Sequence, residues 1–313
     1  MKLGMIEPGY LEDTRLDPAT SSPPPLCPPN SAISLLPLTR IVNIGVSVSR
    51  TVEFRLSPSD AKNVASRPQP PTRALASIDQ VHASALPNWL RILNREVVAC
   101  TRCPRLVEYR EKIAREKRRA YMDWDYWGKP VPGFGDPKAR ILILGLAPGA
   151  HGSNRTGRPF TGDSSGFFMY PVLHETGFAT QSMATHRGDG LELKNAYITA
   201  AARCAPPDNK PTPAEIANCS SYLDREIEGL RELRLIVALG RIGFDAYLNH
   251  LKRRGLLQGK KDYVFAHGAH YKMPDGKILL ASYHPSNQNT NTGKLTRQMF
   301  VKIFQEARRL ADM

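Results

Sequence analysis

From residue 140 onward, four short apolar runs alternate with segments of helical spacing. The runs are "RILILGL" (140–146), "AYITAAA" (196–202), "LIVALG" (235–240) and "KILLASYHP" (277–285). Between and after them come "SSGFFMYPVLHETG", "TPAEIANCSSYLDREIEGLREL", "RIGFDAYLNHL" and a final stretch near "TRQMFVKIFQEARRLA". Apolar runs this short suit strands covered on both faces better than they suit helices. Strand and helix in alternation imply a sheet clasped between helical layers. The expected fold class is therefore α/β: a three-layer α/β/α sandwich around a central, mostly parallel four-stranded sheet. Thr212, Pro213 and Glu215 suit the N-cap, first and third positions of the helix that carries Cys219. Ligands of such sheets bind beyond the carboxyl ends of the strands, so the loops after Leu146, Ala202 and Tyr283 are expected to share one rim.

Residues 1–78 read differently. Stretches such as "DPATSSPPPLCPPN" and "SPSDAKNVASRPQPPTR" are dense in Pro, Ser and Ala and lack helical periodicity, which predicts a disordered extension. Within it "RIVNIGVSV" has the composition of a short strand with no neighbour to pair with. The folded domain is expected over 79–313, opening with the basic amphipathic segment "PNWLRILNREVVACTRCPRLVEYREKIAREKRRAYMDW". A formal charge of +14 points to a polyanionic partner, because clustered Lys and Arg release counterions from phosphates. No apolar stretch approaches a membrane span and the N-terminus lacks a signal-like pattern, so a soluble, cytoplasmic protein is expected.

Five cysteines in a reducing compartment suggest metal ligands or inert thiols rather than disulfides. Cys100 and Cys103 form C-x2-C, while Cys204 and Cys219 have fourteen residues between them; Cys27, in the extension, is set aside. Four thiolates in two groups match a structural zinc or a [4Fe–4S] site, and the wide second gap leans toward the cluster. The loop "GLAPGAHGSNRTGRPFTGD" (145–163) combines permissive glycines with Ser153, Asn154, Arg155 and Arg158, all able to donate to an anion. It has neither Walker nor Rossmann spacing, which argues against a nucleotide cofactor. Asp163, closing the loop, suits an N-cap and, without conflict, a water-positioning carboxylate. His284 follows a strand directly and is placed to aim its ring into a rim pocket. His267 and His270 read as surface residues of a Gly- and Lys-containing turn.

The long loop, the "HPS" at 284–286 and the four cysteines together resemble the uracil-DNA glycosylase superfamily, most closely its family 5, the type-B enzymes of bacteria and archaea. The resemblance spans about residues 95–308. It implies a glycosylase-like α/β/α domain with a [4Fe–4S] cluster on Cys100, Cys103, Cys204 and Cys219. It further implies a monofunctional enzyme that hydrolyses the N-glycosidic bond of uracil and other deaminated or damaged bases, hypoxanthine and etheno-cytosine among them, to initiate base excision repair. The partner is then damaged DNA, with no membrane and no nucleotide cofactor, and a monomer is expected.

On this resemblance Asp163 and His284 are the catalytic pair. Ala147 stands where strict uracil enzymes carry a water-holding carboxylate or amide, and Ala200 where an Asn reads the base in the iron–sulfur relatives, which implies relaxed base choice. Gly149 and Phe160 would line the base, Asn209 would offer a replacement amide, Arg155, Ser286 and Lys294 would contact DNA, and Leu295 would serve as a wedge. The alternative is a metal-stapled nucleic-acid-binding module without catalysis, which Ala147 keeps open.

Overall fold

The computed structural model describes residues 86–312; the whole region expected to be an extension, 1–78, with Cys27 and "RIVNIGVSV", lies outside them. The described chain opens with helices α1 (Asn88–Val98) and α2 (Pro104–Glu116). Four strands follow the four apolar runs: β2 (Ile141–Gly145), β3 (Ala196–Ala200), β4 (Leu235–Leu239) and β6 (Ile278–Ser282). They pair in parallel, β3 and β4 flanking β2, and β6 joining β4.

The sheet is larger than expected. Two short antiparallel strands, β1 (Phe134–Gly135) beside β3 and β5 (His270–Lys272) beside β6, extend it to six in the order β1-β3-β2-β4-β6-β5. Neither carries an apolar run: one is two residues long, and the other is "HYK" with both ends exposed. Edge strands covered on one side do not need the continuous hydrophobicity that betrays a central one.

The three layers follow from alternation along the strands. Ile141, Ile143, Ile198, Val237 and Leu280 pack against α4 (Ser164–Glu175) and α8 (Arg297–Leu310). Leu142, Leu144, Tyr197, Ile236 and Leu279 pack against α5 (Pro213–Gly229) and α6 (Arg241–Arg253). Helix α5 begins with the expected capping box, Thr212 and Glu215 satisfying each other's backbone N–H groups, with Pro213 in its first turn. Among the described residues no helix is long and apolar enough to cross a membrane.

Chain order places the site. From β2 the chain crosses to β3 on one side and then returns past β2 to β4 on the other, so a switch point opens at the carboxyl ends of β2 and β4. The loops after β2, β3 and β6 do share this rim. They are laced by Ala201 N–H to Gly145 O, Ala202 N–H to Leu146 O and Gly240 N–H to Ser282 O.

Helix α6 approaches β2 closely enough that a Cβ on Gly243 would lie 2.5 Å from the Leu144 carbonyl oxygen. Neither backbone can yield cheaply, so Gly243→Ala is expected to cost about 1–3 kcal/mol, read as a lower urea midpoint at unchanged slope.

Candidate active site

Strand β2 ends at Gly145 and releases the loop over 146–163, which folds back on itself. The Gly149 carbonyl accepts from the N–H groups of Gly152 and Asn154, opening a single turn, α3 (Ser153–Thr156), that left-handed Gly157 ends. Arg155 does not face solvent. Its guanidinium lies 4.0 Å from the ring centres of Tyr121 and Trp124, while Nε donates to His151 O at 2.8 Å and Nη2 to Gly162 O at 2.7 Å. The expectation of a DNA contact is thus overturned: at 1% exposure, Arg155 clamps the two ends of the loop together. Ser153, Asn154 and Arg158 are buried as well, so none is a ready donor for an anion at the surface. Arg158 forms a bidentate pair with Asp189 at 2.8 and 2.6 Å. Burial alone would push the Asp189 carboxyl up, but Arg158 and the N–H groups of Thr185 and Leu191 hold it below the usual range.

The clamp delivers Asp163 to the start of its own loop. One carboxylate oxygen accepts from Gly166 N–H at 3.0 Å and caps α4. The other occupies space left by the glycines: it is 1.9 Å from where a Cβ on Gly152 would stand and 3.1 Å from one on Gly149. Burial raises the Asp163 pKa, against the opposing pull of the Gly166 and Ser165 N–H groups and of Arg155. Phe160 adopts a left-handed φ of +50°, and its ring rests on the end of β2, 3.1 Å from where a Cβ on Gly145 would be. A positive φ in a bulky residue persists only where the surroundings enforce it. Ala147 lies between these glycines on the same stretch and offers only a methyl group.

His284 meets this group from β6. Its ring centroid is 5.8 Å from that of Phe160, and its Cβ lies 3.3 Å from where one on Gly240 would be, at the end of β4. Burial depresses the imidazole pKa to about 4, so it is neutral at pH 7. The turn around it is braced: Asn289 Nδ2 donates to the His284 carbonyl at 2.8 Å, and Tyr283 N–H donates to Nδ1 of His267 at 3.1 Å. His267 also stacks on Tyr283, with centroids 5.0 Å apart. His267 is therefore a buttress rather than the surface residue expected, whereas His270 is exposed. Lys294, also exposed, holds its ammonium 4.9 Å above the Tyr283 ring. Ser286 opens the short helix α7 (Asn287–Asn291). Leu295 is fully buried and cannot act as a wedge. Asn209 is exposed on a 3₁₀ turn after β3, and among the described residues its side chain makes no hydrogen bond to Asp163, Phe160 or His284. Gly149, Phe160, Asp163 and His284 are thus brought together. The braces Arg155, His267 and Asn289 were not legible as such, because composition does not tell an inward polar side chain from an outward one.

The cysteines form a second cluster. Cys100 follows α1, Cys103 is the N-cap of α2, Cys204 follows β3, and Cys219 lies in the second turn of α5. Cys204 senses the thiols of Cys219 and Cys100, and Cys219 senses those of Cys103 and Cys100, so all four face one region. Burial pushes the Cys204 thiol up to about 12 despite the Arg110 guanidinium beside it. No three His, Cys, Asp or Glu side chains among the described residues close on a point that a single ion could occupy.

Titration of the site gives a stability signature. The folded state holds His284 near 4 and the unfolded chain near 6.5, so between these values the unfolded state binds the extra proton and stability falls as pH falls. The drop in thermal midpoint from about pH 7 to about pH 5 is expected to be smaller in His284→Gln than in the wild type. Equal drops would contradict a buried neutral imidazole.

The family model of the uracil-DNA glycosylase superfamily matches residues 132–308. The chain is 55% identical over 217 residues to the type-5 uracil-DNA glycosylase of Thermus thermophilus, covering 69% of this chain and 96% of that protein. It is 46% identical to the type-5 enzyme of Mycobacterium tuberculosis, covering 71% and 81%. A type-4 uracil-DNA glycosylase of Sulfurisphaera tokodaii is 30% identical over 68% of this chain and 83% of its own length. With Asp163 and His284 carried on the rim of a matching α/β/α sandwich, the chain belongs to the uracil-DNA glycosylase superfamily, in its family 5.

Proposed function

We propose that this site excises uracil and a wider range of deaminated or damaged bases, including hypoxanthine and etheno-cytosine, from DNA, and that it does so by hydrolysis without cutting the strand. The observation that carries the reading is the convergence of a desolvated carboxylate, an aromatic face and a neutral imidazole at one switch point. Uracil excision itself rests on the family; the broader range rests on Ala147 and Ala200, which leave the base edge without a side-chain amide or carboxylate from either position. A site that makes few paired polar contacts discriminates weakly among bases. The non-catalytic alternative finds no support in a chain so similar to catalytic relatives.

Chemistry at the anomeric carbon requires the nucleotide to leave the stack, at a cost of a few kcal/mol. Phe160 offers its ring to the extruded base. Cleavage places negative charge on the departing base and positive charge on the sugar, so a preorganised donor aimed at the base is worth more than a strong nucleophile. Neutral His284 supplies that donor without the cost of a buried cation. Asp163, fixed by its capping bond, orients water through its second oxygen and faces the positive charge that develops on the sugar. Ser286 lies two residues after His284, Lys294 holds its ammonium over the ring of Tyr283 just before it, and both suit contacts to phosphate.

We further assign Cys100, Cys103, Cys204 and Cys219 to a [4Fe–4S] cluster. The supporting observations are the chemistry of the donor set, four cysteines with Cys103 and Cys204 packed around Leu106, and the buried Arg110 guanidinium set against the Cys204 sulfur. Bound there, the cluster supplies a structural staple among α1, α2, the loop after β3 and α5.

Base release from uracil, hypoxanthine and etheno-cytosine duplexes tests the reading. His284→Ala is expected to lower the single-turnover rate by about 10²–10³, the scale of a lost oxyanion donor, and no borohydride-trapped adduct is expected. Release confined to uracil would limit the base range, and undiminished release from His284→Ala would remove the donor role.

A further inference from the structure

Two arginines are buried near the cysteines, and they are partnered differently. Arg203 is paired with Glu226, which is itself fully buried and also accepts from Thr199. Arg110, 3% exposed, has no such buried carboxylate among the described residues. Its nearest acid is Glu111 at 3.6 Å, a side chain about half exposed to solvent. Among the described residues its Nε has no hydrogen-bond partner. What Arg110 does reach is sulfur: Nη1 lies 3.1 Å from Cys204 Sγ and 3.3 Å from the Cys100 carbonyl oxygen.

A buried guanidinium without a matched anion is costly, and natural sites retain one where a negative group compensates it. We propose that Arg110 is the counter-cation of the [4Fe–4S] centre, donating an N–H···S bond to the Cys204 sulfur and thereby raising the reduction potential and securing cluster retention. This rests on the cofactor reading given above. A cluster held by four thiolates carries net negative charge that deepens when an electron enters, so a fixed positive charge and a donor on sulfur favour the reduced form more than the oxidised one. Arg110 stands seven residues after Cys103, on the same side of α2, so one helix supplies both a ligand and its charge partner. Asn218 adds a weaker donor, Nδ2 to Cys103 Sγ at 3.4 Å. The same arginine also touches the loop of the base site, since its carbonyl accepts from Asn154 Nδ2 at 3.2 Å.

The test uses full-length protein purified anaerobically, with iron and sulfide analysis followed by a mediated potentiometric titration read by absorbance and electron paramagnetic resonance. Wild type is compared with Arg110→Lys, which keeps the charge but not the planar fork, and with Arg110→Met, which loses both. Midpoint potentials are expected to fall in the order wild type, Lys, Met. The Arg110→Met shift should reach a tenfold change in the reduced-to-oxidised ratio, about 59 mV for one electron. Should Arg110→Met not retain iron, a lowered potential in Arg110→Lys sustains the inference. Both variants matching the wild type in iron content and potential would overturn it. Wild-type protein without iron would instead overturn the cofactor reading, a separate failure visible before any variant is made.

Discussion

The base site depends on a backbone contact that no side chain other than hydrogen allows. The Asp163 carboxylate lies in the volume that a Cβ on Gly152 would fill, so the last residue of the loop is seated against its first turn. Gly166 plays the matching part below, where a Cβ would stand 1.8 Å from the Phe160 carbonyl oxygen. These two close approaches set the path of the chain between β2 and α4. They present Phe160 at the end of β2 and hold Asp163 where one oxygen caps a helix and the other lies against Gly149 and Gly152. His284 reaches the same place from β6 because β2, β4 and β6 run parallel and end on one rim.

Keeping such a loop closed requires strong internal bonds, and the sequence spends its polar residues there. Arg155 is sandwiched between Tyr121 and Trp124 and tied to carbonyls at both ends of the loop, while Arg158 is held by buried Asp189. Charge-assisted bonds of this kind, shielded from water, are worth more than their exposed counterparts. The consequence is that a basic-looking loop contributes structure, its two arginines being buried, whereas Lys294 is an exposed cation. Helix α2 links the two centres of the molecule: it starts at Cys103, carries Arg110, and touches the loop through Asn154. Loss of order at the cysteines would therefore loosen the wall against which the base site is built.

The four parallel strands and the capping box of α5 were legible because both are written in contiguous residues: apolar runs buried on both faces, and Thr-Pro-x-Glu at a helix start. Edge strands β1 and β5 were not, since a two- or three-residue strand leaves no periodicity to detect. Misreadings share one cause. The resemblance carries Arg155 and Leu295 outward to the DNA, and a glycine-rich turn carries His267 outward. Burial is decided by residues distant in the chain: Tyr121 and Trp124 for Arg155, Tyr283 for His267. Asp163 and His284 escaped this ambiguity because each stands at the end of a recognisable element, a loop entering a helix and a strand leaving a sheet.

The central claim is that Asp163, Phe160 and His284 close around one extruded base. A crystal structure of the Asp163→Asn protein on a uracil-containing duplex tests it most directly. The account expects the uracil ring against Phe160, a His284 ring nitrogen within hydrogen-bond distance of a base oxygen, and the residue-163 side chain facing the anomeric carbon. A base lodged elsewhere, with His284 and residue 163 both remote from it, would contradict the account.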